Sequence, residues 1–424
     1  MTQSGNSGVA VRATPLRDQL TQQVEPQILP VLIEIDPPDT TGNSAGSACV
    51  VFVIDRSGSM EDDGKIEQVR AALRAAVHAF RPTDTCGLIV FNHDSQVLVP
   101  QRQVGDGREF FAAIDAIEAG GGTRMSRGLS RALSEVTSVR ANGVGAVRVV
   151  LLTDGHTDTD EAECAELAQR IATERAIIDG FGLGDDWNST LVETIAATSG
   201  GTIGFITDAS TVEASFRKAV ARSQATALTD CRLRLRLVQT TSLVPYSVYR
   251  LSPDIVEMQP PGYGGVVDLV IGDVAANEGV TVFAELSIPA GTQGRFRPVR
   301  AELLYRPASG GPEGSITSDI IVSVGEGAYG ASNPRVESIR TELSKMRLQK
   351  SIDRDLKAGN TDTATRKLEA LTQRLSAGGD TASAAAATQL LAQVKSGEQS
   401  SAPSTIKLEA LGRDQVAKTV RLAP

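Results

Sequence analysis

The chain has 424 residues, which is more than one ordinary hydrophobic core accommodates, so we expect two or three domains. Its contents of 41% hydrophobic and 22% charged residues are typical of a soluble globular protein. The net charge of −9 argues against a nucleic-acid-binding surface, because such a surface needs clustered lysine and arginine. Nucleic acid is therefore not an expected partner.

Neither a secretory signal nor a membrane span is expected. Residues 1–15 are polar and lack an apolar core, and no stretch approaches about 18 consecutive apolar residues. The four cysteines are far apart and form no CxxC pair, which fits a reducing compartment better than a disulfide scaffold. Cys49 and Cys86 lie in apolar runs, where a free thiol behaves as a small buried hydrophobe. We therefore expect a cytoplasmic protein.

Residues 1–26 are predicted to be a flexible N-terminus, and residues 27–47 contain a strand-like run at 28–35. From 48 to 226, short apolar runs alternate with amphipathic helical patterns. The apolar runs predict strands at 49–54, 86–91, 147–152, 176–183 and 201–206, and the patterns predict helices at 65–80, 108–117, 125–139, 160–175, 191–198 and 210–226. This alternation indicates a doubly wound, Rossmann-like α/β fold, whose mostly parallel sheet binds ligands at the carboxyl ends of its strands.

A second pattern covers residues 227–325. Leucines at 233, 235 and 237 alternate with arginines at 232, 234 and 236, a period of two that suits a half-buried antiparallel strand. Further strand-like runs without intervening helices lie at 247–251, 266–271, 280–288, 298–305 and 315–324. Together they predict a β-sandwich. We hypothesise that the run at 28–35 pairs into it, which makes the α/β domain an insertion between β elements.

A helical segment is predicted at 333–395. Pro334 is suited to the first turn of a helix, and Gly359 marks its end. A second helix at 361–376 carries an apolar face, and a third covers 381–395, so a small helical bundle or hairpin array is expected. Residues 396–424 are rich in serine and poor in large apolar side chains, which predicts a flexible tail.

Asp55, Ser57 and Ser59 follow the first strand of the predicted α/β domain, in the loop Asp55-Arg-Ser57-Gly-Ser59. One carboxylate and two hydroxyls at alternating loop positions can converge on a single point. Such hard oxygen donors suit Mg²⁺ or Mn²⁺ and not zinc. Alone the loop is a weak signal, because a turn followed by a capped helix has the same composition.

Two further segments bring oxygen donors to the same edge of the sheet. Gly120-Gly-Gly-Thr123 lies between two predicted helices, where glycines let the backbone pass close to a neighbour or an ion. The run at 147–152 ends in Thr-Asp154-Gly, which places Asp154 on the carboxyl edge with Asp55. Three hydroxyls and two carboxylates from three segments therefore predict a metal site.

The set Asp55-x-Ser57-x-Ser59, Thr123 and Thr-Asp154-Gly resembles the intact metal-ion-dependent adhesion site of von Willebrand factor A domains. The match covers residues 48–226, with every member in the expected order. The resemblance implies that Ser57, Ser59 and Thr123 contact the metal, and that Asp55 and Asp154 act through water. It also implies a partner protein whose Asp or Glu completes the coordination. Cytoplasmic bacterial proteins of this kind often accompany AAA+ ATPases, Ser/Thr kinases, phosphatases or tellurite-resistance systems.

Other acidic residues lie close to this site. Asp158 and Asp160 follow Asp154, where they either repel acidic ligands or cap the next helix; capping is the preferred interpretation.

The tail contains two similar segments, Thr405-Ile-Lys-Leu and Thr419-Val-Arg-Leu. A threonine followed three residues later by leucine resembles what forkhead-associated domains recognise after phosphorylation. Phosphorylation of Thr405 and Thr419 in a flexible tail would dock such a partner. The alternative is that both segments are chance matches in a Ser/Thr-rich tail, and the sequence slightly favours this alternative.

Three functions remain open. The preferred one is a non-enzymatic, cation-dependent protein-interaction module of a bacterial stress or signalling assembly. A surface or secreted adhesin shares the same layout, but the absent signal peptide argues against it. A metal-dependent hydrolase would use the ion to activate water. It ranks last, because no base is evident and there is no GxSxG, HExxH or Walker A motif.

Overall fold

The computed structural model describes residues 8–38, 47–141, 145–157, 159–184, 186–206, 211–238, 240–276, 278–396 and 402–422. Over these ranges the chain forms an α/β domain, a two-sheet β-sandwich and a group of C-terminal helices. None of the helices in the described ranges combines the length and the apolar character needed to cross a bilayer. All four cysteines are free and buried, as the apolar surroundings of Cys49 and Cys86 predict.

Three strands precede the α/β domain: β1 (Ala10–Pro15), β2 (Gln19–Thr21) and β3 (Gln27–Asp36). β1 pairs antiparallel with β3. Val11 and Leu20 are buried in the sandwich core. The prediction of a flexible segment over 1–26 is therefore wrong for β1 and β2, because their few apolar side chains are buried in the core of the sandwich.

The α/β domain consists of alternating strands and helices whose bounds lie close to the predicted ones. They are β4 (Cys49–Asp55), α1 (Lys65–Ala79), β5 (Thr85–Phe91), β6 (Ser95–Gln103), α2 (Arg108–Asp115), α3 (Met125–Ala141), β7 (Val147–Thr153), α4 (Glu161–Thr173), β8 (Ala176–Leu183), α5 (Ser189–Ser199), β9 (Ile203–Ile206) and α6 (Val212–Gln224). The sheet order is β6-β5-β4-β7-β8-β9. Only the edge strand β6 is antiparallel to its neighbour in this sheet.

Two apolar cores cover the two faces of this sheet. Val50, Phe52 and Ile54 of β4 point to one core, while Val51 and Val53 point to the other. Burial on both faces explains the continuous apolar runs of the parallel strands and confirms the doubly wound α/β fold. β6 was not predicted, because its half-exposed residues and Pro100 are also compatible with a loop.

The β-sandwich contains two sheets. The strands that follow the α/β domain are β10 (Thr226–Leu237), β11 (Ser242–Leu243), β12 (Tyr249–Ser252), β13 (Val256–Glu257), β14 (Val266–Ala275), β15 (Val280–Ile288), β16 (Gly294–Pro307) and β17 (Gly314–Gly325). One sheet has the order β1-β3-β15-β12-β13, with β11 also paired to β15, and the other has the order β14-β10-β16-β17-β2. Leu233 and Leu235 of β10 face the shared core, as the period of two predicts.

The α/β domain is inserted into this sandwich. β3 pairs with β15 from Ile35 opposite Val280 to Gln27 opposite Ile288, which is the arrangement that the insertion hypothesis requires. The seam between the two domains includes the buried Arg250 of β12, which donates hydrogen bonds to the carbonyls of Gly200 and Gly201. These glycines precede β9, so the sandwich is attached at the amino edge of the parallel strands, opposite the carboxyl edge.

Four helices complete the described fold: α7 (Pro334–Lys357), α8 (Thr361–Ala377), α9 (Thr381–Ser396) and α10 (Ala402–Leu422). The side chain of Asn333 accepts a hydrogen bond from the Val336 backbone N at 3.1 Å, which caps α7 ahead of Pro334. The prediction of a flexible tail over 396–424 is wrong where α10 forms. Leu408 packs against α7, α8 and α9, and Val416 packs against α7 and β12, so this sparse apolar pattern is buried.

Candidate metal centre

Asp55 ends β4 and is fully buried. Its Oδ1 accepts a hydrogen bond from the Ser57 backbone N at 2.8 Å, and its Oδ2 accepts one from the Thr153 hydroxyl at 2.6 Å. Burial raises the pKa of Asp55 to about 6, although the hydrogen bonds from Thr153 and Ser57 oppose the shift. Asp55 therefore joins the loop after β4 to the end of β7, the neighbouring parallel strand.

Ser59 lies in a short 3-10 helix, Gly58–Gly64, and Ser57 is the residue before that helix. The buried Met60 side chain anchors this helix in the core. Ser57 is buried, but Ser59 is exposed, so the loop opens to solvent at Ser59.

Ser57, Ser59 and Asp154 place three oxygens side by side. The Ser57 and Ser59 hydroxyl oxygens are 3.2 Å apart, and the Ser59 hydroxyl donates to Asp154 Oδ1 at 2.7 Å. Ligand oxygens at about 2.1 Å from an octahedral ion, at right angles, are roughly 3 Å from each other. The 3.2 Å spacing of the two serine oxygens and their hard donor chemistry therefore fit neighbouring ligand positions around one Mg²⁺ or Mn²⁺ ion, and Asp154 holds one of them by a hydrogen bond.

The glycine loop before Thr123 is hydrogen-bonded to the serine loop that follows β4. Gly58 N donates to the Gly121 carbonyl at 2.9 Å, and Gly120 N donates to the Arg56 carbonyl at 2.8 Å. Gly121 has a φ of +87°, which residues with a Cβ rarely adopt, and a Cβ there would lie 2.4 Å from the His93 Nδ1. Thr123 follows this loop and is buried immediately before α3. All five predicted residues thus lie in segments joined at the carboxyl edge of the sheet.

Thr157 and Asp160 brace the Thr123 segment, which the sequence analysis did not predict. The Thr157 hydroxyl hydrogen-bonds the Asp160 Oδ1, lies 3.4 Å from the Thr123 carbonyl oxygen, and accepts from the Met125 backbone N at 3.1 Å. Asp160 Oδ2 accepts from the Ser126 backbone N at 2.8 Å. These contacts satisfy backbone donors at the start of α3.

The interpretation of Asp160 as a side-chain cap of the following helix is therefore wrong. Asp160 stands at the N-cap position of α4, but its carboxylate makes no capping hydrogen bond there. Its Oδ2 instead accepts a hydrogen bond from the Ser126 backbone N in the first turn of α3, a helix that lies earlier in the chain. Asp158 lies outside the described residues.

Lys65 adds a positive charge that the sequence analysis also missed. Its Nζ lies 2.7 Å from Asp154 Oδ2 and 3.3 Å from the Ser59 carbonyl oxygen. The side chain of Asp154 is fully buried and that of Lys65 is 19% exposed. The only available signal was the position of Lys65 at the start of a helix after the serine loop.

No cluster of three or more His, Cys, Asp or Glu side chains suited to a metal occurs among the described residues. The candidate centre has a different chemistry, because most of its donors are hydroxyls. Neutral hydroxyl ligands leave a divalent ion with much of its charge uncompensated. A centre of this kind is suited to an ion that takes one more anionic ligand from outside.

The two tail threonines lie on α10 rather than in an extended segment. The Thr419 hydroxyl donates to the Gln415 carbonyl at 3.0 Å, within the helix. Thr405 lies in the first turns of α10 and is half-buried. Recognition of either threonine in an extended conformation would therefore require this part of α10 to unfold.

Comparison with known proteins agrees with this architecture. Residues 50–218 match the family model of the von Willebrand factor type A domain, and residues 334–417 match that of the Sll0103-like, C-terminal alpha-helical domain. The second match includes most of α10. The Synechocystis protein sll0103 is 25% identical over 324 residues, which are 75% of this chain and 76% of that protein. YfbK of Escherichia coli is 27% identical over 178 residues, 41% of this chain and 31% of its own length.

Two solved structures share the fold over almost the whole chain. A von Willebrand factor type A protein from Catenulispora acidiphila has a TM-score of 0.74 at 21% identity, and covers 97% of this chain and 99% of its own. The ArnB paralog VWA2 from Sulfolobus acidocaldarius has a TM-score of 0.58 at 15% identity, with the same coverage of 97% and 99%. The order of α/β domain, sandwich and helices is therefore a shared architecture. Residues 50–218 of this chain are a von Willebrand factor type A domain, carried by a β-sandwich and followed by a C-terminal helical domain.

Proposed function

We propose that this chain is a non-enzymatic, divalent-cation-dependent protein-interaction module of the bacterial cytoplasm. Mg²⁺ or Mn²⁺ would be held by Ser57, Ser59 and Thr123, with Asp55 and Asp154 supporting it. The observation that carries the proposal is the 3.2 Å spacing of the Ser57 and Ser59 hydroxyl oxygens, in a loop open to solvent, with Asp154 hydrogen-bonded to Ser59 at 2.7 Å. Domains of the von Willebrand factor A family are often protein-interaction modules, which supports the same function.

The side chains of the site divide into two roles. Ser57 and Ser59 supply neutral oxygens, while Asp55 holds the loop through its hydrogen bonds from Ser57 N and Thr153. A bound Mg²⁺ would supply a positive centre with an open coordination position for a carboxylate oxygen. Because Ser59 is exposed, an Asp or Glu side chain of a partner protein can reach this position.

The hydrogen bonding of the carboxylates supports an interaction site over a hydrolase. Asp55 accepts hydrogen bonds on both oxygens, and Asp154 accepts from the Ser59 hydroxyl and from Lys65. A general base must lie within hydrogen-bond reach of the water that it activates. The side chains of Asp55 and Asp154 have no exposed surface, so neither carboxylate meets bulk water directly.

The expected partner is a protein of a bacterial stress or signalling assembly. The classes that we propose are an AAA+ ATPase, a Ser/Thr kinase, a phosphatase or a forkhead-associated-domain protein. For the last class, phosphorylation of Thr405 or Thr419 would have to free part of α10. Mass spectrometry after kinase treatment tests this, and two unmodified threonines would exclude it.

Calorimetric titration of Mg²⁺ into the EDTA-treated full chain tests the metal site. Asp55→Asn and Thr123→Ala should each weaken Mg²⁺ binding by at least about tenfold, because second-sphere and ligand changes typically have effects of that size. Asp115→Asn, at the exposed end of α2, and Thr137→Ala, within α3, are matched controls that should bind as the wild type does. Equal Mg²⁺ affinity for all five proteins would refute the site.

A pull-down with the immobilised chain tests the interaction. Partners should be retained in Mg²⁺, lost in EDTA, and lost from the Asp55→Asn chain in Mg²⁺. Retention that is identical under the three conditions would refute a metal-bridged contact. Turnover of phosphoester or peptide substrates in Mg²⁺ would instead support a hydrolase.

A further inference from the structure

Lys65 is the first residue of α1 and lies against the candidate metal centre. Its Nζ contacts Asp154 on Oδ2, at 2.7 Å, while the Ser59 hydroxyl contacts Asp154 on Oδ1, at 2.7 Å. The ammonium group also lies 3.3 Å from the Ser59 carbonyl oxygen. Lys65 thus contacts one carboxylate oxygen of Asp154, and the Ser59 hydroxyl contacts the other.

The charges of the site follow from these contacts. The carboxylates of Asp55 and Asp154 carry two negative charges, and Lys65 cancels one of them. A divalent cation added to the remaining single negative charge leaves one net positive charge. Without Lys65, the same cation would neutralise the two carboxylates, and a partner's carboxylate would meet a site with no net charge.

We propose that Lys65 is a built-in counter-cation that weakens metal binding and keeps the metal-loaded site positive, so that an anionic ligand binds more strongly. This inference rests on the proposed function and explains how the site would couple two ligands. Because coupling between two ligands is reciprocal, an anion that binds the loaded site must also raise the apparent affinity for Mg²⁺. Lys65 would set the size of that coupling.

A merely structural role for Lys65 makes a different prediction. If the ion pair with Asp154 only held α1 against the end of β7, its removal would loosen the site. Mg²⁺ affinity would then fall together with thermal stability. The counter-cation role predicts the opposite sign, because loss of the ammonium increases the attraction between the site and a divalent ion.

The experiment compares Lys65→Met, Lys65→Gln and Lys65→Arg with the wild type and with Lys418→Met, which removes an exposed lysine on α10. Mg²⁺ affinity is measured calorimetrically on the full chain in sodium chloride and in sodium acetate of equal ionic strength. Acetate is the carboxylate probe. Melting temperatures in EDTA show which variants fold without the metal, and either neutral variant that folds is sufficient.

Lys65→Met and Lys65→Gln should bind Mg²⁺ about tenfold more tightly than the wild type in chloride, given the interaction of a unit charge with a divalent ion at close range. Their gain in Mg²⁺ affinity on changing chloride for acetate should be at least about threefold smaller than that of the wild type. Lys65→Arg and Lys418→Met should behave as the wild type does, since both preserve the charge at the site.

Unchanged or weaker Mg²⁺ binding by the folded neutral variants would overturn the inference about Lys65 and would leave the proposed function in place. An acetate effect equal to that of the wild type would overturn its second half, the coupling to the anion. A wild-type chain that binds no Mg²⁺ would overturn the proposed function itself, and the two failures are therefore distinguishable.

Discussion

Thr157 is the residue through which the loop after β7 holds the Thr123 segment, and Thr157→Ala removes its hydroxyl. The hydroxyl pairs with the carboxylate of Asp160, accepts from Met125 N at 3.1 Å and lies 3.4 Å from the Thr123 carbonyl oxygen. All four residues are buried, so water does not replace the lost partner at low cost. The substitution should therefore displace Thr123 without changing any of the five predicted metal-site residues.

The size of the effect follows from these contacts. A hydrogen bond to a charged group contributes about 1.5–3 kcal/mol, and a buried backbone N–H without an acceptor costs about 1–3 kcal/mol. Because the two terms share one hydroxyl, we expect a loss of about 3 kcal/mol in local stability and not their full sum. Changes in residues that orient metal ligands typically weaken metal binding by about 10- to 100-fold, which is the range expected for Mg²⁺ here. Thr157→Ser keeps the hydroxyl and removes one methyl group, so it should retain Mg²⁺ affinity.

The assay is Mg²⁺ titration calorimetry, with hydrogen exchange at residues 123–126 as a local measure of stability. A single free energy of unfolding is not suitable, because a chain of several domains does not unfold in two states. Thr157→Ala should exchange faster in EDTA and bind Mg²⁺ more weakly, while Thr157→Ser should resemble the wild type. Mg²⁺ affinity of folded Thr157→Ala within twofold of the wild type would refute the reasoning.

Three further predictions concern the fold. Gly182→Ala should lower the melting temperature of the α/β domain, since the new Cβ would lie 1.9 Å from the buried Trp187 ring and overpacking typically costs about 1–3 kcal/mol. Gly262→Ala meets open space, and its melting curve should match that of the wild type. Val416→Asp buries a charge and should release α10 to limited proteolysis, and a digestion pattern like that of the wild type would contradict the docking of this helix. Burial raises the pKa of Asp273 from 3.8 to about 6, so its contribution to stability should fall as pH rises through that window, and Asp273→Asn should flatten this part of the melting-temperature profile relative to the wild type. If the difference in melting temperature between the wild type and Asp273→Asn does not change between pH 3.8 and about 6, the raised pKa of Asp273 is contradicted.

The metal centre shows which site residues a sequence can reveal. Asp55 and Asp154 were predictable because each follows an apolar strand, and parallel strands end at one edge of the sheet. Lys65 and Thr157 were not, although both contact the predicted residues. A lysine at a helix start and a threonine in a loop are ordinary surface residues until the packing brings Asp154 and Thr123 to them.

The ends of the chain show the same limit. Val11 ends a run of only three apolar residues and Leu20 is flanked by polar residues, and they form strands only because β3 and β17 supply the partners for β1 and β2. In α10 the buried Leu408 and Val416 are eight residues apart and join two different apolar clusters. Such spacing leaves too weak an amphipathic pattern to predict a docked helix.

The sequence by itself determined the α/β domain, the sandwich strands and the oxygen-rich loops at the carboxyl edge, because periodicity and strand-end chemistry are local properties of the chain. Only the tertiary structure decided that β3 pairs with β15, that Asp160 hydrogen-bonds the first turn of α3 and does not cap α4, and that Lys65 pairs with Asp154. Each of these contacts joins segments that are distant in sequence. Their energies depend on which buried charges and backbone groups find partners once the domains have packed.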